Sequence, residues 1–157
     1  MLGNYPEIKQ ILLAAHNLLR WVIVILAVYA FIRLILGWVQ NKTWRQPDQK
    51  SVTFFTIALD IQLLLGLLLY FVFSDLIKAA FSDFGAAMSN QVLRFFTVEH
   101  SLLMVIAIVV AHVANAAGKK NLPDAKKFRR VTLLLGLAVV LIAAGIPWAS
   151  RPLLPVF

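Results

Sequence analysis

Four long runs of apolar residues follow one another along the chain, separated by short polar connections. The runs occupy residues 8–39, 52–73, 91–117 and 131–148. Each is close to or above the roughly 20 apolar residues that a helix needs to cross the hydrocarbon core of a membrane. The connections are too short for a further domain. The pattern therefore predicts an all-α, integral membrane four-helix bundle in which residues 1–157 form a single domain.

The composition agrees with a membrane protein. Hydrophobic residues make up 61% of the chain and charged residues 14%, and the mean hydropathy is +0.84. An ordinary soluble domain has about 25% charged residues. The net charge of +8 is concentrated beside the apolar runs, where it fits a membrane surface. We therefore expect membrane lipid, and no nucleic acid, among the partners of this chain.

The basic residues are unevenly divided between the two sides of the predicted bundle. Nine lie in or beside the first and third connections: Lys42, Arg45, Lys50, Lys119, Lys120, Lys126, Lys127, Arg129 and Arg130. Four lie on the other side: Lys9, Lys78, Arg94 and Arg151. Basic residues are enriched on the cytoplasmic side of membrane proteins. This bias predicts a multi-pass protein with both termini on the outer side of a cytoplasmic-type membrane.

Cysteine is absent from the sequence. The absence excludes disulfides, thiolate metal ligands and covalent haem attachment through a C-x-x-C-H motif. Any haem would have to be a non-covalent, b-type group.

Several ionisable residues lie inside the apolar runs, where each costs at least ~2.5 kcal/mol on insertion scales and needs a partner or a purpose. They are His16, Arg20, Asp60, Glu99, His100 and His112. At 1.5 Å rise per residue, His16 and His100 each lie roughly 12 Å below the outer end of their helices. Gly66 falls at about the same depth in the second helix. The two histidines can therefore face each other, with room beside them for a flat group.

A b-type haem held between two helices needs two imidazoles at one level, small residues beside the macrocycle and a cation for its propionates. His16 and His100 are the candidate axial ligands, Gly66 supplies space, and Arg20 or Arg94 supplies the cation. Two alternatives remain open. The histidines could only hydrogen-bond across helices, or they could hold a small metal ion together with Glu99.

Asp60 and Gln62 are candidates for quinone binding or proton transfer. Asp60 is also a candidate ion-pair partner for Arg20, and Glu99 competes with it for that role. His112 lies ~18 Å from His100 along the third helix, which is too far for both to bind one metal ion. We expect a structural or proton-relay role for His112. In the second connection, DLIKAAFSDF could form a short amphipathic helix or a plain loop.

The stretches AHNLLRW, DIQLLLGLLLYF, RFFTVEHSLLM, AHVANA and AGIPW resemble small bacterial four-helix membrane proteins of the cytochrome b or cytochrome-b-like type. The resemblance covers most of the chain. It implies a haem-binding redox protein of the bacterial inner membrane, with His16 and His100 as axial ligands. Larger di-haem cytochromes b carry a histidine pair on each of two helices, whereas the first helix here has only His16. The expectation is therefore one haem per chain.

The sequence predicts a membrane cytochrome that carries one bis-histidine haem b for single-electron transfer, with the quinone pool, a redox partner protein or a larger respiratory complex as candidate partners. A homodimer is a further candidate assembly. An electron carrier or a quinone-linked oxidoreductase fits these residues better than a hydrolase or a transferase. The main alternative is a cofactor-free accessory or assembly subunit of a larger membrane complex, in which the polar residues only join helices.

Overall fold

The computed structural model describes residues 6–148, and this part of the chain is built from helices. Their bounds are α1 Pro6–Val39, α2 Gln46–Leu68, α3 Asp75–Ser82, α4 Phe84–Ser89, α5 Gln91–Arg94, α6 His100–Gly118 and α7 Asp124–Gly145. Two π-helical turns interrupt the regular helices. Leu69–Phe73 continues α2, and Phe95–Glu99 joins α5 to α6.

Within residues 6–148, four continuous helical stretches are long and apolar enough to cross a membrane: Pro6–Val39, Gln46–Phe73, Gln91–Gly118 and Asp124–Gly145. The predicted all-helical fold with four membrane-length helices is therefore confirmed, and the chain is a multi-pass membrane protein. Which membrane it occupies, and which side its termini face, stay predictions. We call the end that carries the connections after α1 and after α6 the basic end. The opposite end, where α1 begins, is the terminal end.

The second and fourth helices begin earlier than the hydrophobic pattern predicts. Helix α2 starts at Gln46 and α7 starts at Asp124, whereas the apolar runs begin at residues 52 and 131. Pro47 lies in the first turn of α2, where a helix needs no backbone N–H donor from that residue. The helices therefore extend into their polar flanks. At its other end α7 stops at Gly145, three residues short of the predicted boundary, because Ile146 is extended.

The four long helices form a square arrangement. Helix α1 packs against α2 and α7, and α6 packs against the same two neighbours. Helices α1 and α6 therefore face each other across the diagonal. The buried positions recur every three or four residues, as on one face of a helix. The core includes Ala30, Leu34, Val52, Phe55, Ala107, Ala111, Ala114, Phe128, Val131, Leu135 and Ala138.

Small residues on α6 let its neighbours approach closely. The fully buried positions of this helix are mostly alanine and glycine, at Ala107, Ala111, Ala114, Ala117 and Gly118. Small interfacial residues are the usual means by which membrane helices gain packing contacts. The outward faces instead carry large apolar side chains such as Ile25, Leu64 and Val140, which are 63–67% exposed and suit contact with lipid tails.

An aromatic wedge closes the core near the basic end. Phe128 of α7 is 1% exposed and packs edge-on against Trp44, with ring centroids 4.8 Å apart. Its ring also fills the space beside Gly37, where an added Cβ would lie 2.2 Å from a Phe128 ring carbon. Just beyond, Asn41 has a φ of 50°, and Lys42 N donates to Gly37 O at 2.9 Å. The left-handed backbone at Asn41 ends α1 and directs the chain toward α2.

Asp48 joins α1 to the start of α2. Its carboxylate accepts from Arg33 Nε at 2.7 Å and from the Arg45 backbone N–H at 2.7 Å, and the residue is only 5% exposed. We expect Asp48→Ala to lower the free energy of unfolding by about 2 kcal/mol, because a helix-start cap and the partner of Arg33 are both lost. Thermal unfolding in detergent would measure this loss. Asp124→Ala is the control, since Asp124 forms no ion pair among residues 6–148. Equal losses for the two variants would contradict the assignment.

The second connection forms helices instead of a plain loop. Helix α3 begins at Asp75, and the Ser74 hydroxyl accepts from the Ile77 N–H. Ile77 and Ala80 of α3 are buried against the bundle. Lys9 Nζ lies 2.5 Å from Asp75 Oδ2, so an ion pair also links α1 to this helix. The connection therefore covers the terminal end of the bundle.

The hydrogen bond and charge of Lys9, with a smaller contribution from Lys78, hold the pKa of Asp75 below its ordinary value. A lowered native pKa means that the contact stabilises the fold above the ordinary carboxyl pKa and is lost as the pH falls through the lowered one. We expect Lys9→Met to raise the pKa of Asp75 toward its ordinary value, and Lys78→Met to raise it less. Carbon NMR of aspartate-labelled protein would report both titrations. A larger rise with Lys78→Met would contradict this ranking.

Candidate functional site

His16 and His100 meet across the diagonal of the bundle. Their ring centroids are 6.4 Å apart and the ring planes are inclined by 63°. One ring comes from α1 and the other from the first residue of α6. Both side chains are partly buried. The structure therefore brings together the two histidines that their matched depth in the sequence had singled out.

The end of α7 orients the ring of His100. His100 Nδ1 lies 2.7 Å from Gly145 O. Gly145 is the last residue of α7, so its carbonyl is one of those that a helix leaves without an internal partner. A carbonyl only accepts, so Nδ1 carries the proton and donates it, which leaves Nε2 with a free electron pair. Hydrogen bonds of this kind, from one ring nitrogen to a carbonyl, commonly orient histidines that bind a metal through the other nitrogen.

The absence of a side chain at Gly145 favours this approach. A Cβ at this position would displace the flexible end of Met104, whose Cε would lie 2.3 Å away, and would lie 3.3 Å from Leu103 Cβ. The glycine therefore relieves crowding where α7 passes close to α6 and its carbonyl reaches His100. Sequence analysis missed this role, because the pattern of the fourth helix indicates packing and gives no sign of which carbonyl is left unpaired.

Helix α2 positions the segment of α1 that carries His16. Gln62 Nε2 donates to His16 O at 2.9 Å. Gly66 lies one turn further, and a Cβ built on it would contact His16 Cε1 at 3.5 Å. Gly66 is therefore at the level of His16, as predicted from depth, and lies beside its ring. His16 Nδ1 is buried without a hydrogen-bond partner among residues 6–148.

The two π-helical turns lie next to this site. Tyr70 Oη, in the turn that ends α2, donates to Thr97 O, in the turn that precedes α6, at 2.9 Å. Such turns leave backbone carbonyls outside the regular hydrogen-bond pattern of an α-helix, and they occur frequently at functional sites. Phe95 and Phe96 of the second turn lie 6.0 and 6.2 Å from the His100 ring, measured between centroids. The site thus has an aromatic wall that the sequence pattern did not indicate.

The two candidate cations flank the histidine pair on opposite sides. Arg20 lies one turn beyond His16 toward the basic end, is 8% exposed and has its guanidinium carbon 5.7 Å from the centre of the Trp21 ring. Arg94 lies toward the terminal end, and its Nε donates to Glu99 Oε1 at 2.7 Å. Arg94 therefore holds the carboxylate that was a candidate partner for Arg20.

Asp60 forms a separate pair with His112. Asp60 Oδ1 and His112 Nε2 are 2.8 Å apart and link α2 to α6. The carboxylate considered as a partner for Arg20 thus lies beside a histidine. The side chains of Asp60 and His112 are 45% and 52% exposed on the outside of the bundle. They therefore belong to a different face from Gln62, which points toward α1.

A metal ion held by protein ligands alone does not fit the site. No group of three or more His, Asp or Glu side chains within residues 6–148 is arranged to hold a metal. Glu99 is engaged by Arg94, so the three-ligand alternative with His16, His100 and Glu99 is not formed. Two imidazoles are too few for a structural zinc ion. They are, however, the full protein contribution to a six-coordinate bis-histidine haem.

The separation and chemistry of the two rings do fit that role. Two imidazole nitrogens at ~2 Å from one metal, on opposite sides of it, place the ring centroids about 6 Å apart. The observed value is 6.4 Å. Within residues 6–148, Nδ1 of His16 is buried without a hydrogen-bond partner, and the bond from Nδ1 of His100 to Gly145 O leaves an electron pair on Nε2 of that ring. The donor set therefore fits a haem iron.

A second feature, at the basic end of the bundle, is an apolar cleft of about 450 Å³ between α1 and α7. Its lining includes Phe31, Trp38, Gly136 and Val140. Thr132 adds a buried hydroxyl. The cleft lies away from the histidine pair, and the described residues that line it carry no ionisable group.

Comparisons with known proteins add no family to these observations. No protein-family model, no curated protein and no solved structure matches the chain. The resemblance to cytochrome-b-like proteins therefore stays a prediction, and the histidine pair has to be interpreted from its own geometry.

Proposed function

We propose that this protein is a membrane b-type cytochrome that holds one haem between His16 and His100 and transfers single electrons. The observation that carries the proposal is the approach of the two imidazoles, 6.4 Å apart between centroids, from diagonal helices. Ionisable side chains inside membrane helices are rare and commonly mark functional sites. Here two imidazoles converge, and a buried nitrogen of His16 has no hydrogen-bond partner among residues 6–148, so a metal shared by the two rings would satisfy it.

The surrounding residues support this assignment. The hydrogen bond to Gly145 O holds the His100 ring in the tautomer that leaves Nε2 available. Gln62 fixes the backbone of α1 at His16. Gly66 keeps the space beside the His16 ring free of a side chain. Each of the four long helices thus contributes at least one residue to the site.

The cations set the charge around the site. Arg20 or Arg94 would each offset one of the two carboxylates that a b haem carries, and Arg94 would then share its charge with Glu99. Arg94 is the more accessible of the two, because its side chain is 44% exposed toward the terminal end. The haem supplies a one-electron redox centre whose potential depends on axial ligands and burial. The protein binds, orients and insulates that centre, and the direction of electron flow follows from its partners.

A second candidate function is a cofactor-free subunit of a larger membrane complex. The observation in its favour is that the polar groups of the site also join helices. His100 bonds to α7, and Gln62 bonds to α1. Interhelical hydrogen bonds in membranes contribute about 0.6–2 kcal/mol each, so they would help to hold a bundle without any ligand. This alternative leaves the buried Nδ1 of His16 without a role.

Titration of the apoprotein with haemin separates the two candidates. Trp21 is five residues beyond His16 in α1, and haem quenches tryptophan fluorescence by energy transfer. We expect saturable quenching that ends at one haemin per chain. Weak quenching that rises without saturation would show partition into the detergent micelle and would favour the cofactor-free subunit.

A further inference from the structure

The Asp60–His112 pair is placed where a membrane protein seldom leaves ionisable groups exposed. Asp60 lies at the middle of the 28-residue helix Gln46–Phe73. Its side chain is 45% exposed and that of His112 is 52% exposed. The exposed neighbours on both helices are large and apolar, among them Ile57, Leu64 and Val109. The pair therefore faces the lipid if the chain is a monomer.

The contact within the chain satisfies only part of this pair. Asp60 Oδ1 and His112 Nε2 engage each other at 2.8 Å. Asp60 Oδ2 and His112 Nδ1 make no hydrogen bond within the described residues. Polar groups inside membranes normally face a bundle interior, a water-filled cavity or a partner. One acceptor and one ring nitrogen thus remain to be paired from outside.

The geometry of the pair is complementary to itself. Asp60 and His112 stand side by side on neighbouring helices at one depth. A two-fold axis along the membrane normal would set the His112 of each copy opposite the Asp60 of the other. As an imidazolium, each His112 would donate from Nε2 to its own Asp60 and from Nδ1 to the second carboxylate oxygen of the facing copy. Four polar side chains would close into one ring with no net charge.

The face of α6 that carries His112 is suited to packing against a second helix. The exposed residues Val105, Val109, His112 and Ala116 recur at spacings of four, three and four. This spacing is that of helices that pack side by side with a small crossing angle. The side chains beside His112 are small or β-branched, which permits close approach of two helices in lipid.

We propose that this protein forms a two-fold symmetric homodimer in the membrane through α2 and α6, with a shared Asp60–His112 cluster at its centre. The proposal does not depend on haem, because the cluster lies on a different face from His16 and Gln62. The chain itself carries both the carboxylate and the imidazole that the pair needs from outside. A second copy therefore matches this surface better than an unrelated helix does.

Disulfide cross-linking tests the geometry of the proposed dimer. The sequence contains no cysteine, so only the introduced thiols can react. In the proposed dimer α6 of one copy faces α2 of the other, so Val109 lies near Leu64 of the facing copy. Chains with Leu64→Cys and chains with Val109→Cys, carrying different tags, are mixed in one membrane. The matched control mixes Leu64→Cys with Val140→Cys, on α7 at 65% exposure. After oxidation with copper–phenanthroline, we expect at least about tenfold more mixed covalent dimer from the Leu64 and Val109 variants than from the control mixture, since a disulfide needs Cα atoms within ~7 Å. Equal yields from the two mixtures, or no mixed dimer from the Leu64 and Val109 variants, would overturn the proposal.

A second measurement tests the polar cluster itself. Fluorescence energy transfer between labelled chains in liposomes gives the dimer dissociation constant. Replacing both residues, as Asp60→Leu with His112→Leu, is expected to raise that constant about tenfold by removing interhelical hydrogen bonds. A matched double substitution of Val28 and Val140 to leucine should leave it unchanged. A double-leucine variant at 60 and 112 that associates as tightly as the native chain would overturn the role of the cluster.

Discussion

His16→Ala and His100→Ala are each expected to remove haem from the protein, with occupancy falling at least about tenfold, because a b haem has no covalent link and depends on its axial ligands. Either substitution leaves one imidazole where two are needed. The measurement is the absorption of purified variants in the Soret region relative to protein concentration.

His112→Ala is the matched control, since its imidazole lies on another face and bonds to Asp60. It should keep full occupancy. His100→Met is a second control, because methionine is an alternative haem ligand that raises the potential. It should retain haem with a shifted midpoint potential. Loss of haem in His112→Ala to the same extent as in His100→Ala would contradict the assignment of the ligands.

Phe128→Ala is expected to lower the free energy of unfolding by about 3–5 kcal/mol, as large-to-small changes at fully buried aromatic positions do. Phe128 is 1% exposed and contacts both Trp44 and the surface of α1 at Gly37. Its loss would leave a cavity at the point where the basic end of the bundle is closed. Reversible unfolding in mixed micelles would measure the change.

Phe54→Ala is the control for this change, because Phe54 lies on α2 with 56% of its surface exposed on the outside of the bundle. The same atoms are removed there without a cavity, so the loss should be under about 1 kcal/mol. A comparable loss from both substitutions would mean that Phe128 contributes through general hydrophobicity and not through its packing.

The helices and the meeting of the two histidines could be predicted from the sequence because both depend on simple regularities. Apolar length determines which segments can cross a membrane. A constant rise of 1.5 Å per residue then places His16, Gly66 and His100 at one depth. The structure puts Gly66 against His16 and sets the His16 and His100 rings 6.4 Å apart.

The pairing of the carboxylates could not be predicted in the same way. Depth alone allowed Asp60 to reach Arg20, but rotation about the helix axis directs it to His112 instead. Glu99 lies in a π-helical turn, which changes the direction of its side chain and brings it to Arg94. Periodicity based on a regular helix contains no information on such turns.

The contact of the Gly145 carbonyl with His100 could not be predicted from the sequence for a related reason. A glycine near the end of an apolar helix is typical of packing positions. Its carbonyl orients the His100 ring only because α7 ends there and passes close to α6. The link from Tyr70 to Thr97 O likewise depends on a carbonyl displaced by a π-helical turn. Both contacts depend on the path of the backbone, whereas a sequence pattern predicts only which side chains lie on which face of a helix.

The most direct test of the central claim is the absorption spectrum of the detergent-purified protein, first oxidised and then reduced with dithionite, together with the ratio of haem to protein. The proposal predicts a low-spin b-type spectrum at about one haem per chain. A protein that stays colourless after expression with added haem precursor would contradict it.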